Sequence, residues 1–150
     1  MQAQSLSMRR PAALLLAAAL SGCQTLGTDG LVASSAPAEL SAPAASTVAG
    51  DLVPRFAEQI GPGTATIVLK PDSSVFGSAL ETSLRTWGYA VTTEQEAKDP
   101  KAIRVAYVLV SADGQMLARL STGSLEIGRI YTMTQTGAAP ASPVSVMTRS

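Results

Sequence analysis

The chain has 150 residues, 46% of them hydrophobic, with 11 basic and 11 acidic side chains, one cysteine and no histidine. That length holds one domain. The balanced charge argues against direct nucleic-acid binding through a basic patch, and the missing histidine removes the commonest general base and metal ligand.

Arg9-Arg10 precedes an apolar run from Pro11 to Leu20. A run of ten is too short for a bilayer span, which needs about 20 residues, and fits the core of a cleaved secretory signal. Leu20-Ser21-Gly22-Cys23 follows at once. It resembles the lipobox of a bacterial lipoprotein precursor, with residues 1–22 removed and Cys23 becoming an acylated N-terminus. The small Ser21 and Gly22 leave a peptidase room to approach. A buried helix ending in Ser-Gly-Cys and a signal without lipid are the competing readings, and Met8 offers a second start. Two acyl chains anchor a protein stably where one does not. Gln24, standing where an aspartate would retain a lipoprotein at the inner membrane, favours the outer membrane, lipid-anchored and facing the periplasm. The covalent lipid on Cys23 is the only cofactor expected, and acylation leaves neither a thiol nucleophile nor a disulfide partner. Without Arg9 and Arg10 the mature chain has 9 basic and 11 acidic residues.

Residues 24–46 are dominated by Ala, Ser, Thr, Gly and Pro and show no apolar period, so 23–46 reads as the lipidated cysteine and a flexible tether. A coil of that length spans roughly 25–29 Å.

The domain is expected over residues 47–133. Val48, Leu52, Phe56 and Ile60 recur every fourth residue and predict a first helix. Pro54 argues that its regular part starts late, near Asp51 as N-cap. Thr64 to Leu69 is β-branched and apolar and predicts a strand. Ser73 or Ser74 then caps a helix from Val75 to Trp87, with Phe76, Leu80, Leu84 and Trp87 on one face. Gly88 stands at the left-handed C′ position, and Tyr89 folds back onto Leu84. Trp87 reads as core, with an interface anchor as the alternative. Tyr89 to Thr93 forms a short strand and Glu94 to Lys101 a loop. Ala102–Val110, Met116–Ser121 and Ser124–Met133 form an antiparallel meander turned at Asp113-Gly114 and Thr122-Gly123. The expected fold is α+β: two helices packed on a small, mostly antiparallel sheet of four to five strands, in the order α-β-α-β-β-β-β. The helix between the first two strands can act as a crossover, making that pair parallel or separated.

Arg119 and Arg129 lie in the meander, as solvent-facing residues beside carboxylates or as a partner-facing pair. The acidic residues fall on separate elements, and no metal set, phosphate loop or nucleophile motif is present, so neither an enzyme nor a small-molecule substrate is expected. Residues 134–150 read as an extended C-terminal tail, because Pro140 and Pro143 disfavour a central strand. The alternation of Val144 and Val146 suits addition to a partner's sheet edge, with fraying as the alternative.

Several stretches together resemble the TrbH family of conjugal transfer lipoproteins. They are Phe76-Gly77-Ser78-Ala79-Leu80, Leu84-Arg85-Thr86-Trp87-Gly88-Tyr89, Leu117-Ala118-Arg119-Leu120-Ser121-Thr122-Gly123, and Gly128-Arg129-Ile130-Tyr131 through Gly137 to Pro140-Ala141-Ser142-Pro143-Val144-Ser145-Val146. The resemblance implies a structural role in mating-pair formation by a type IV secretion apparatus, with other envelope proteins of the conjugation channel as partners. It transfers Cys23 as lipidation site and no catalytic residue. Trp87, Tyr89, Arg119, Val144 and Val146 are the candidate partner contacts by our own reading. The alternative function is a stand-alone periplasmic lipoprotein that binds a small apolar ligand or another envelope protein.

Overall fold

The computed structural model describes residues 34–61, 63–70, 73–93 and 96–150. Cys23 and the preceding Leu20, Ser21 and Gly22 lie outside the described residues. The elements run α1 (Ala42–Ile60), β1 (Thr66–Leu69), α2 (Val75–Thr86), β2 (Ala90–Thr92), β3 (Ile103–Ala112), β4 (Gln115–Ser121), β5 (Leu125–Thr134), β6 (Gly137–Pro140) and β7 (Ser145–Thr148). This is the expected α+β order, with seven strands where four to five were predicted.

The first helix starts nine residues before Asp51. Ser41 caps it, its side chain accepting from Ala44 N–H at 3.3 Å, and Pro43 falls in the first turn, where it costs no hydrogen bond. Ala44, Ala45, Val48, Ala49, Leu52, Val53, Phe56 and Ala57 are all buried. The alanines carry the apolar stripe back into what composition alone reads as linker. Pro54 remains inside the helix. It removes the bond that the Gly50 carbonyl would accept, and Gly50 is exposed, so water can replace the lost donor. The domain therefore begins before residue 47. Leu40 is buried, and Ser35 pairs with β3 beside Val108.

The second helix follows its sequence closely. Ser74 Oγ accepts from Gly77 N–H at 3.0 Å. At the other end Tyr89 N–H donates to the Leu84 carbonyl and Gly88 N–H to that of Arg85, with Gly88 at φ 93°. These are the two bonds of a Schellman stop. Trp87 departs from expectation: it is the C-cap residue and 47% exposed. Tyr89, turned back by Gly88, is buried instead.

The sheet order is β2-β1-β3-β4-β5-β6, with β7 also on β5. The α2 crossover makes β1 and β2 parallel, and β1 is parallel to β3 on its other side. From β3 onward every pair is antiparallel. Both helices cover one face. Beneath them Ile67, Tyr107, Met116, Leu120, Ile127 and Tyr131 are fully buried against Phe56, Leu52, Phe76, Leu80 and Leu84. The Phe76 and Tyr107 rings meet edge to face at 5.1 Å between centroids.

The stretch expected as an extended tail completes the sheet. β6 runs along the C-terminal half of β5 and β7 along its N-terminal half. Between them residues 141–144 face only Arg129 and Ile130, a two-residue excess that bulges the strand. Pro140 is tolerated because Ala141 N–H bonds the Ile130 carbonyl. That puts Pro140, one residue back, at a position whose nitrogen points away from β5.

Candidate functional site

The bulge is held by a polar cluster that joins α1 to the last strands. Asp51 accepts from Arg129 Nη1 at 3.0 and 2.9 Å and from the Tyr131 hydroxyl at 2.7 Å. Arg129 Nε donates to the Ser142 carbonyl at 2.7 Å, and Ser142 Oγ accepts from Ile130 N–H at 3.0 Å. One carboxylate thus fixes a guanidinium, and the guanidinium fixes the bulge. The Asp51 and Arg129 side chains are 23% and 19% exposed, so water screens the pair only in part.

Burial, the hydrogen bond to Asp51 and the charge of Asp51, in that order, push the Tyr131 hydroxyl far above its ordinary ionisation range. The unfolded tyrosine ionises near pH 10 while the folded one stays protonated, so this group withdraws stability as pH rises beyond about 10. Tyr131→Phe should cost about 1–2 kcal/mol at neutral pH through the lost hydrogen bond. It should also flatten the alkaline decline. Urea denaturation between pH 8 and pH 11 (about that range, set by the free tyrosine value) checks both; an unchanged slope would show that Tyr131 ionises in the fold.

Beside the cluster lies a recess of about 320 Å³ lined by Arg55, Glu58, Gln59, Arg129, Val144 and Val146. Val144 packs half-buried on the core and Val146 is 46% exposed. A second furrow, of about 330 Å³, runs between the helices and is lined mostly by small residues, including Ala42, Ser46, Gly50 and Ser78.

The candidate contacts do not converge. Trp87 stands exposed at the end of α2. Tyr89 is buried, donates its hydroxyl to the Gly61 carbonyl and has its ionisation raised by burial, so it is a structural clamp and offers no contact surface. Arg119 lies on the sheet face away from the helices, 3.6 Å from Glu126. Arg129 faces α1. The two arginines therefore point to opposite faces and form no pair. Each has a carboxylate neighbour, as expected, but Arg129 does not face solvent. The sequence reading placed Asp51 as a cap; the available signal was an acid three residues after Val48, on the flank of the apolar stripe.

The carboxylates of Asp51, Glu58, Glu81 and Glu126 each hold an arginine. Among the described residues no group of three or more metal-ligating side chains forms, and no helix is long and apolar enough to cross a membrane. The arrangement offers surfaces for binding.

The family model described as "Conjugal transfer protein TrbH" matches residues 26–150. A relative from Sinorhizobium fredii (strain NBRC 101917 / NGR234), "Probable conjugal transfer protein TrbH", is 53% identical over 137 residues, covering 88% of this chain and 92% of the relative. No solved structure matches the chain. The match runs through both helices and all seven strands, and the chain belongs to the TrbH family of conjugal transfer proteins.

Proposed function

We propose that this chain is a lipoprotein of the conjugation apparatus, anchored through acylated Cys23 in the outer membrane and facing the periplasm. Its domain docks other envelope proteins of the channel, and its role is assembly. The observation that carries this reading is Leu20-Ser21-Gly22-Cys23 directly after a short apolar run and Arg9-Arg10, in a chain of a conjugal transfer family. A basic start, an apolar run too short to span and a cysteine after small residues agree on one processing route. The family is one of transfer components, and in the recess beside the bulge Glu58 is held by Arg55 and Asp51 by Arg129, which favours a binding role over a catalytic one.

The test is recovery in gentle detergent from cells carrying the transfer genes, beside Cys23→Ser. The natural chain should fractionate with the outer membrane, carry acyl mass on its N-terminal peptide and bring channel proteins with it. Cys23→Ser should lose the acyl mass, leave the membrane fraction and lower transfer frequency at least tenfold. Recovery of the acylated chain alone would leave the anchor standing and remove the assembly role.

A further inference from the structure

The margin of the sheet is obstructed along β2, β3 and β6 but not along β7. The β2 strand is three residues long, and Arg85 Nη2 donates to its Val91 carbonyl at 2.8 Å. On β3, Ser35 takes the Tyr107 carbonyl and the Leu109 N–H, and Pro37 follows with no N–H to extend the pairing. On β6, Pro140 turns its nitrogen outward and offers no donor. Such devices keep a sheet edge from pairing with another chain.

Strand β7 has none of them. Ser145–Thr148 contains no proline and no charge, and the bulge lies before it. Arg149 N–H bonds the Ser124 carbonyl at 2.8 Å, which carries the ladder one residue further. An antiparallel ladder alternates between pairs that exchange hydrogen bonds and pairs that do not. Ser145, Met147 and Arg149 therefore turn their backbone groups toward β5, and Val146 and Thr148 turn their N–H and C=O outward. Among the described residues no strand lies beyond them. Apolar side chains flank this edge on both sides: Val146, opposite Ile127, is 46% exposed on the helix side, and Met147, opposite Glu126, is 56% exposed on the other. An unpaired backbone edge between two exposed apolar side chains is matched by another strand.

We infer that β7 pairs antiparallel with β7 of a second copy of this chain, about a two-fold axis through Met147. Met147 is the midpoint of the laddered segment from Ser145 to Arg149. This centre sets Val146 opposite Thr148 of the second copy, and Thr148 opposite its Val146, in pairs that exchange hydrogen bonds. Every backbone group that Val146 and Thr148 turn outward is then satisfied. The two Met147 side chains meet at a close pair that exchanges no hydrogen bonds. Arg149, the one charge in the segment, falls opposite Ser145 of the second copy and keeps Glu126, so no like charges meet. A centre at Val146 would instead set Thr148 against Val144, inside the bulge. The two-fold uses both β7 edges, so assembly closes at two copies. The contact is small, and pairing in free solution is weak. A lipid on Cys23 would raise the local concentration, but the pairing itself does not rest on that anchor.

The test uses the chain from residue 23 onward with Cys23→Ser, so that Met147→Cys carries the only thiol. Facing residues that exchange no hydrogen bonds lie about 4.5 Å apart at Cα, within the range of a disulfide. In a glutathione redox buffer at high protein concentration, Met147→Cys should form disulfide dimers about fivefold faster, or more, than Val110→Cys. Val110 is 51% exposed on the same sheet face but stands on β3, away from the β7 edge. Val146→Pro removes an outward donor and no bond to β5, so in the Met147→Cys chain it should bring the rate down to that of Val110→Cys. Thr148→Pro supplies the same readout if circular dichroism shows Val146→Pro unfolded. Equal rates at the two cysteine positions, or an undiminished rate in a folded proline variant, overturns the proposal. So does a Met147→Cys chain that, in cells carrying the transfer genes, crosslinks to a different envelope protein and not to itself, a result that gives the edge to a foreign strand. Acyl mass on Cys23 is read separately, so failure of the lipid anchor and failure of the pairing are told apart.

Discussion

Asp51→Ala should lower the unfolding free energy by about 3 kcal/mol. Removing one partner of a buried ion pair costs roughly 3–5 kcal/mol, because the remaining charge stays behind without compensation. The partial exposure of Asp51 and Arg129 places this case at the low end. Two groups are orphaned: Arg129 keeps only the Ser142 carbonyl among the bonds described, and the Tyr131 hydroxyl loses its acceptor. Urea unfolding should show a lower midpoint at unchanged slope. Arg129→Met in the Asp51→Ala background should restore part of the loss, since the stranded charge is gone, and the double-mutant cycle isolates the coupling. A loss below about 1 kcal/mol would mean that water already carries the pair.

Gly63→Ala should destabilise by about 2–3 kcal/mol, while Gly128→Ala should cost under about 1 kcal/mol. A Cβ at Gly63 would lie 2.5 Å from the Trp87 carbonyl oxygen and 2.8 Å from the Gly88 carbonyl carbon. Both are backbone atoms inside the Schellman stop, and neither can move without undoing the bonds that end α2. The Tyr89 hydroxyl bond to Gly61 ties the same two segments, so the strain spreads to the end of α1. At Gly128 the nearest obstacle is Arg119 Cγ at 3.0 Å, part of a flexible surface side chain. Thermal melts of the two variants, side by side, check the contrast. Similar losses at both glycines would show that the loop after α1 is free to shift.

Sequence was most informative where local rules and packing agree. The second helix has a serine cap, an apolar stripe and a stop glycine; the cap, the stop and the Phe76, Leu80 and Leu84 part of the stripe survive in the fold. The meander was legible for the same reason: alternation and Asp113-Gly114 state one register. Residues 42–46 were not, because Ala and Ser look the same in a linker and in a helix face that needs small side chains against a sheet. The C-terminal strands were hidden by Pro140, which is harmless only in the register the bulge imposes. Trp87 was misplaced because periodicity does not say where a helix runs off the end of its sheet. The Asp51 cluster was invisible in principle, since Asp51 and Arg129 are separated by 78 residues and one sequence carries no trace of their pairing.

That separation has a consequence for how the domain forms. The helix that opens the domain is completed by strands near its close, and β1 meets β3, its parallel neighbour, only after the α2 and β2 detour. Contacts of such long range must offset loop-closure entropy before they yield stability, which slows folding. A chain made from its N-terminus onward can pack α1 on α2 early, but the Asp51 cluster and the β6 cover of α1 close only when the last strands have been made.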